Sequence, residues 1–448
     1  MTAPDLRLQA TTRQILGMAF PISLALLVPQ VNFITNTIFL SGLGELELAC
    51  AGITGVYYLI FAVIGNGLNN GLQALIARRA GQNRPQEVGH LFFHGVWIAL
   101  AFAFFGILVT YILAPPILRA TIQDQRIAEL AIHFLLIRVW GLPLLYLYIM
   151  RNALLVGTNL TRLLIWGALA ETSINVLLDY GLIYGHFGLP RIGFDGAAYA
   201  SIIAEGSALL VLYFVIHNRG IHRQFGLFEN TGLVQSTFRL ILVQSLPLIL
   251  QFAISIITWE YFYILIEHHG ARSLAISNTM RNIFGIAGVF YWSFAATANT
   301  MVSNVLGQER PQEVIPLINK IARISFACSC GLVLLLTIFT DFFLSLYGQG
   351  PDFTTEALPV VRVVSVALLM MSVAVVWLNA VTGTGNTMVN LVIEFITIAL
   401  YIVYVYVTLE YLQLPITWAW ASEWVYWMSI FVMAYFYMRR GNWKARAI

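Results

Sequence analysis

The chain has 448 residues, of which 59% are hydrophobic and only 10% charged, with a formal net charge of +3 and a mean hydropathy of +0.80. A soluble globule carries roughly 25% charged residues, so composition excludes that class and predicts a polytopic membrane protein with hydrocarbon as its main solvent. The small net charge gives no ground for a nucleic-acid partner, and Cys50, Cys328 and Cys330 all lie in apolar runs, which implies no disulfide framework.

Residues 1–14 are polar and carry no small-residue cleavage site, so no removable signal peptide is expected and the first apolar run is read as the first span. Runs long enough to cross about 30 Å of hydrocarbon as helices fall near 15–40, 49–77, 91–114, 128–151, 163–185 and 196–217. A second six fall near 239–267, 275–305, 320–347, 357–381, 388–412 and 417–438. Between them, 218–238 reads as a polar linker, giving lobes over 1–217 and 239–448.

The two sets are copies. Gly81-Gln82-Asn83-Arg84-Pro85-Gln86-Glu87-Val88 returns as Gly307-Gln308-Glu309-Arg310-Pro311-Gln312-Glu313-Val314, an offset of 226 residues (307 − 81). The same offset relates Pro21 to Pro247 and Gly44 to Gly270, so one structural unit is repeated in the same order. An even number of spans per copy makes the copies parallel, related by an axis along the membrane normal. The expected fold is therefore an all-α polytopic membrane protein of about 12 transmembrane helices, in two parallel six-helix repeats around a central cavity. One set of loops holds most of the cations, among them Arg78, Arg79, Arg84, Arg310, Arg439, Arg440 and Arg446, whereas the opposite set holds Arg119, Arg126, Arg191 and Arg272. The positive-inside rule then puts both termini in the cytoplasm. No GxxxxGK[ST] run occurs and no soluble segment could hold an ATP-binding module, so any transport must run on an ion gradient.

Glu171, Asp179, Glu205, Glu260, Glu394, Arg138, Arg281 and Arg362 fall inside the expected spans. Each costs roughly 2.5–3.5 kcal/mol on insertion scales, which makes each a candidate for function or for a structural ion pair. Glu171, Asn175 and Asp179 are spaced four apart and share a face of the fifth span; Ser201 and Glu205 share one on the sixth, and Asn32 and Asn36 one on the first. Three polar faces in one copy call for a shared interior where a cation meets several oxygens. In the second copy, Glu260 stands between Trp259, Tyr261 and Tyr263. A carboxyl among aromatic rings can exchange a proton and attract organic cations through charge and cation–π contact; the alternative is a hydrogen-bonded structural Glu. Glu260, Tyr263, Asn282, Asn32, Glu171 and Glu205 are expected to line the substrate cavity.

Blander readings cover other signals. His90 and His94 have metal-ligand spacing but no third ligand in sight, and Cys328-Ser329-Cys330 reads as packing. Trp418, Trp420, Trp424 and Trp427 read as an interfacial belt. Arg138 and Arg362 suggest a repeated structural role, and Arg281 either a partner for Glu260 or a contact for an anionic substrate.

Over essentially its whole length the chain resembles the MATE (multidrug and toxic compound extrusion) family. The resemblance rests on the six-plus-six spans, Pro21, the repeated cytoplasmic loop, Asn175-Val-Leu-Leu-Asp179-Tyr-Gly-Leu-Ile-Tyr-Gly185 and Gly193-Phe-Asp-Gly196-Ala-Ala-Tyr-Ala-Ser201. It implies a cation or proton site at Asn36, Asn175, Asp179 and Ser201, with Asn36 standing where relatives carry Asp, so the site is one charge poorer. On the seventh span Ser255 takes the place of a first coupling acid and Glu260 that of a second; Met371 replaces a tenth-span Asp, and Asn282 matches an eighth-span polar position. The function implied is a secondary antiporter that exports organic, often cationic, compounds in exchange for H⁺ or Na⁺ by rocking of the two lobes. No cofactor other than the coupling ion is expected. The partners are a small-molecule substrate and the lipid of a bacterial-type inner membrane, and the chain is expected to be a monomer. A flippase for lipid-linked sugars would call for a cationic cavity, against the five intramembrane carboxylates and three arginines here. A membrane-embedded enzyme would need a convergent His/Asp, Ser/His or metal group at bilayer depth.

Overall fold

In hydrocarbon every backbone N–H and C=O must be paired inside the chain, and an α-helix pairs them all within one segment. The computed structural model describes residues 5–229, 231–345 and 350–444; Arg446 of the cationic C-terminus lies outside them. Among the described residues no strand occurs, and twelve long helices follow one another. They are α1 (Thr12–Ser41), α2 (Glu45–Gly81), α3 (Pro85–Thr121), α4 (Gln125–Gly157), α5 (Leu164–Tyr184), α6 (Phe194–Asn218), α7 (Gln235–Glu267), α8 (Ala271–Gly307), α9 (Val314–Ile338), α10 (Pro351–Gly383), α11 (Thr387–Tyr406) and α12 (Ser422–Arg440).

Nine of them are long and apolar enough to cross a membrane by length and composition. The three outside that set are α5, with Glu171, Asn175 and Asp179; α8, with Arg272, Asn278, Arg281 and Asn282; and α12, which is rich in Trp and Tyr. Two expected spans have more structure than their hydropathy shows. Within α4 a 3-10 turn at Val139–Gly141 precedes Pro143, which has no N–H to offer the Val139 carbonyl. The span expected over 320–347 ends at Ile338 and is followed by a short helix, Thr340–Ser345; residues 346 and 347 lie outside the described residues.

The duplication is visible in backbone conformation. Asn83 (φ 56°) and Glu309 (φ 61°) hold the same left-handed position, and the next residue in each copy enters an ion pair three residues on: Arg84–Glu87 at 2.9 Å and Arg310–Glu313 at 3.5 Å. Asn159 (φ 62°) and Gly385 (φ 81°), again 226 apart (385 − 159), close the turns after α4 and α10.

The chain divides into two compact units. One takes the residues up to Leu6 and Leu24–Ser245; the other takes Arg7–Ser23 and everything from Leu246 onward. α1 and α7 are therefore each shared, with their helix-internal prolines, Pro21 and Pro247, beside the points of division. Equivalent helices pair alike in both units: α2 with α3 and α4, α4 with α3 and α6, and α5 with α6; then α8 with α9 and α10, α10 with α9 and α12, and α11 with α12. Among the nine apolar helices the fourth of each copy is the most enclosed, with 67% of the apolar window of α10 and 44% of that of α4 buried. In the second unit the N-terminal segment is tied down by Leu8 N–H to Asn304 Oδ1 (2.9 Å) and by Lys320 Nζ to the Ala10 carbonyl (2.9 Å), with Ile15 and Met18 fully buried.

Candidate functional site

The fifth and sixth helices meet closely because of a glycine. A Cβ on Gly196 would come within 2.9 Å of the Leu182 carbonyl carbon and oxygen, and Ala197, Ala198 and Ala200 continue the small face. That approach brings Ser201 to α5, where its Oγ accepts a bond from Asn175 Nδ2 (3.4 Å). One turn further Asp179 is 0% exposed, and neither carboxyl oxygen has a hydrogen-bond partner among the described residues. Tyr184 OH donates to the Phe39 carbonyl (2.6 Å), and the Phe39 ring lies 6.0 Å from that of Tyr180, which fixes the C-terminal end of α1 on α5. Asn36 stands one turn before Phe39, and its Oδ1, like those of Asn32 and Asn175, is buried with no donor. The first unit thus holds, among its described residues, buried acceptor oxygens without donors on α1 and α5, together with one buried carboxyl. A buried carboxylate without a counter-charge is costly. A proton or a hard cation bound by oxygens relieves that cost. Of the residues expected here, the structure brings Asn175, Asp179 and Ser201 to one helix interface and places Asn36 on the helix pinned against it.

Glu205 was expected to line a substrate cavity, and the structure gives it another role. Arg138 grips it with two bonds, 2.5 and 3.1 Å, with both side chains nearly buried, and the Arg138 guanidinium lies 4.1 Å over the Tyr58 ring. The pair fits because residue 141 is glycine: a Cβ there would fall 2.7 Å from Glu205 Oε2. Glu171 is within electrostatic range of both partners. Arg362 is exposed, so it does not repeat the part of Arg138, and the offset of 226 in fact pairs Arg138 with Val364.

In the second unit Glu260 is exposed on α7, while Tyr263 is buried and its hydroxyl donates to the Ser277 carbonyl (3.0 Å). Arg281 and Asn282 are exposed; among the described residues Arg281 forms no ion pair with Glu260 and instead lies 5.2 Å over the Tyr263 ring. The enclosed acids are two others. Glu394, on α11, is 1% exposed and accepts from Ser255 Oγ (2.5 Å), Tyr426 OH (2.6 Å) and Gln251 Nε2 (3.3 Å). Its carboxyl therefore reaches Ser255, where relatives were expected to carry an acid. Glu423 accepts from Trp427 Nε1 at 3.0 Å. The sequence reading passed over Glu423 because it sits among tryptophans read as a belt. Of these, Trp420 and Trp427 are buried and only Trp418 is exposed, with Trp420 Nε1 donating to Ser277 Oγ (3.0 Å). The four-residue spacings Gln251–Ser255 and Glu423–Trp427 were the available signals. Both ring nitrogens of His94 are engaged, Nδ1 with the His90 carbonyl and Nε2 with the Val234 N–H (each 2.8 Å), so this pair packs the linker. Among the described residues no group of His, Cys, Asp and Glu could hold a metal ion.

Residues 21–181 and 247–407 each match the MatE family profile, two stretches set apart by the same 226 residues (247 − 21) as the repeated octapeptide. The chain is 25% identical over 349 residues to a probable multidrug resistance protein NorM of Listeria monocytogenes, covering 76% of this chain and 75% of that one. To the corresponding protein of Synechocystis it is 27% identical over 225 residues, 50% of this chain, and spans 48% of that relative's length. Similar solved structures include MATE in complex with MaL6 (TM-score 0.87, 18% identity, 97% of each chain). A MOP superfamily transporter from Pyrococcus furiosus is also similar (TM-score 0.87, 17% identity, 97% of this chain and 96% of that one). At these identities the structural likeness concerns the fold.

Proposed function

The chain belongs to the MatE family, and from that premise we propose that it is a secondary antiporter exporting small organic molecules, often cationic, in exchange for H⁺ or Na⁺. It is a multi-pass membrane protein. We place it in a bacterial-type inner membrane, with both termini cytoplasmic, and read the monomer as the working unit. The names of the relatives support the substrate class.

The observation that carries the coupling is Asp179, fully buried with neither carboxyl oxygen hydrogen-bonded among the described residues, one turn along α5 from Asn175. With Asn at position 36 the group has a single formal charge to neutralise, which suits one proton or one monovalent cation. Occupation of this group and of the substrate site would favour different orientations of the two lobes, and only such differential affinity can couple the two fluxes. Glu260, exposed and close to Tyr263 and Trp259, is the acid we assign to attracting a cationic substrate.

Proteoliposomes loaded with ethidium test this under an imposed pH gradient and, separately, an imposed Na⁺ gradient. One gradient should drive transport in the wild type, and Asp179→Asn should abolish it while ethidium still binds. Wild-type rates in Asp179→Asn would remove the carboxyl from coupling. Transport driven by neither gradient would end the antiporter reading.

A further inference from the structure

A cleft, remote from Asp179 along the helices, opens in the first unit where the ends of α3, α4 and α6 meet the loop after α6. It measures about 270 Å³ and is lined by Phe92, Arg151, Tyr213, His217, His222 and Phe228, among others. Its polar side is cationic or aromatic throughout. Arg151 forms no ion pair among the described residues; it donates to the Leu209 carbonyl and lies 6.0 Å from the Tyr213 ring centre. The His217 and His222 rings stack at 4.4 Å and 8°, and His222 Nδ1 is buried without a partner. Among the described residues no carboxylate lines the cleft, and Glu229 on the adjoining loop is exposed beside Gly226 and Gln86. The opposite wall is apolar: Phe92 and Phe228 meet edge to face at 5.9 Å. Leu210 and Phe214 on the same helix, α6, are exposed.

The second copy shows that the fold does not require this arrangement. The offset of 226 sets Trp377 opposite Arg151 (377 − 151), and Trp377 is buried against Tyr435, ring centres 5.0 Å apart. One copy keeps a guanidinium where the other packs an indole.

We propose that this cleft binds the phosphate head group of an anionic phospholipid from the adjoining leaflet, with Arg151 as its cationic contact. A guanidinium offers five donors, of which one is spent here, and a partly buried cation without a counter-charge gains most from a phosphate. Basic pockets between spanning helices at a leaflet surface suit such head groups.

Native mass spectrometry of the delipidated protein, titrated with phosphatidylglycerol or phosphatidylcholine, tests the assignment. Phosphatidylglycerol should bind at least about tenfold more tightly, and Arg151→Gln should remove most of that preference, as expected for one charge-assisted bond. If Arg151→Gln does not fold, the double variant Tyr213→Ala/His222→Ala serves, with a smaller loss of preference expected. Equal affinity for the two lipids, or an undiminished preference in the variants, would overturn the proposal. Displacement of phosphatidylglycerol by millimolar inorganic phosphate would also overturn it, by assigning the cleft to a soluble anion.

Discussion

Arg138 and Glu205 show how far a residue's partner decides its role. Each alone inside a span is an expensive charge; together, at 2.5 Å and nearly buried, they neutralise one another and hold α4 to α6. Removing one partner leaves the other uncompensated, so Arg138→Gln and Glu205→Gln should each destabilise the protein by about 3–5 kcal/mol. The double substitution to Met and Leu should recover much of that loss. Thermal unfolding in detergent reads all three; additive losses would deny the pairing. Charge and helical spacing made both residues conspicuous in sequence, but spacing along one helix carries no information about a partner 67 residues away.

Between α5 and α6 the decisive residue is the one with no side chain. Gly196 permits backbone contact at Leu182, and through it the Asn175–Ser201 bond and the enclosure of Asp179. Gly196→Val should therefore cost roughly 1–3 kcal/mol through overpacking. It should also impair gradient-driven efflux, while Gly331→Ala, on a helix face of α9 with open space around it, should leave efflux unchanged. Wild-type efflux in Gly196→Val would separate the helix contact from function. The corresponding pair in the second unit, α11 with α12, is organised differently: Glu394 on α11 is satisfied by Tyr426 on α12 and by Ser255 and Gln251 on α7. Equivalent helices thus hold a carboxyl with open oxygens in one unit and a fully hydrogen-bonded one in the other.

Across the whole molecule the orientation remains a consequence of loop charge, and it is directly measurable. A green fluorescent protein fused after residue 448 should fluoresce, and alkaline phosphatase fused there should be inactive, because both report a cytoplasmic C-terminus. The reverse pattern would invert the topology and place the Arg151 cleft in the other leaflet. Length, hydropathy and the repeat at 226 residues sufficed to determine an all-helical membrane protein built from two like copies, because a 3.6-residue helix in hydrocarbon is the local solution to pairing every backbone group. Those same patterns drew attention to Asn175 and Asp179, whose spacing of four residues is itself a statement about one face of α5; that Ser201 on α6 meets Asn175 is a matter of packing. What only tertiary structure decided is which acids are enclosed and which are exposed. It exposed Glu260, paired Glu205 with Arg138, and brought Glu423 and Glu394 into the interior, where donors 32 to 143 residues away meet the oxygens of Glu394. The reason is physical: the cost of a buried charge is set by whatever side chains reach it across helix interfaces, and those neighbours are remote in sequence.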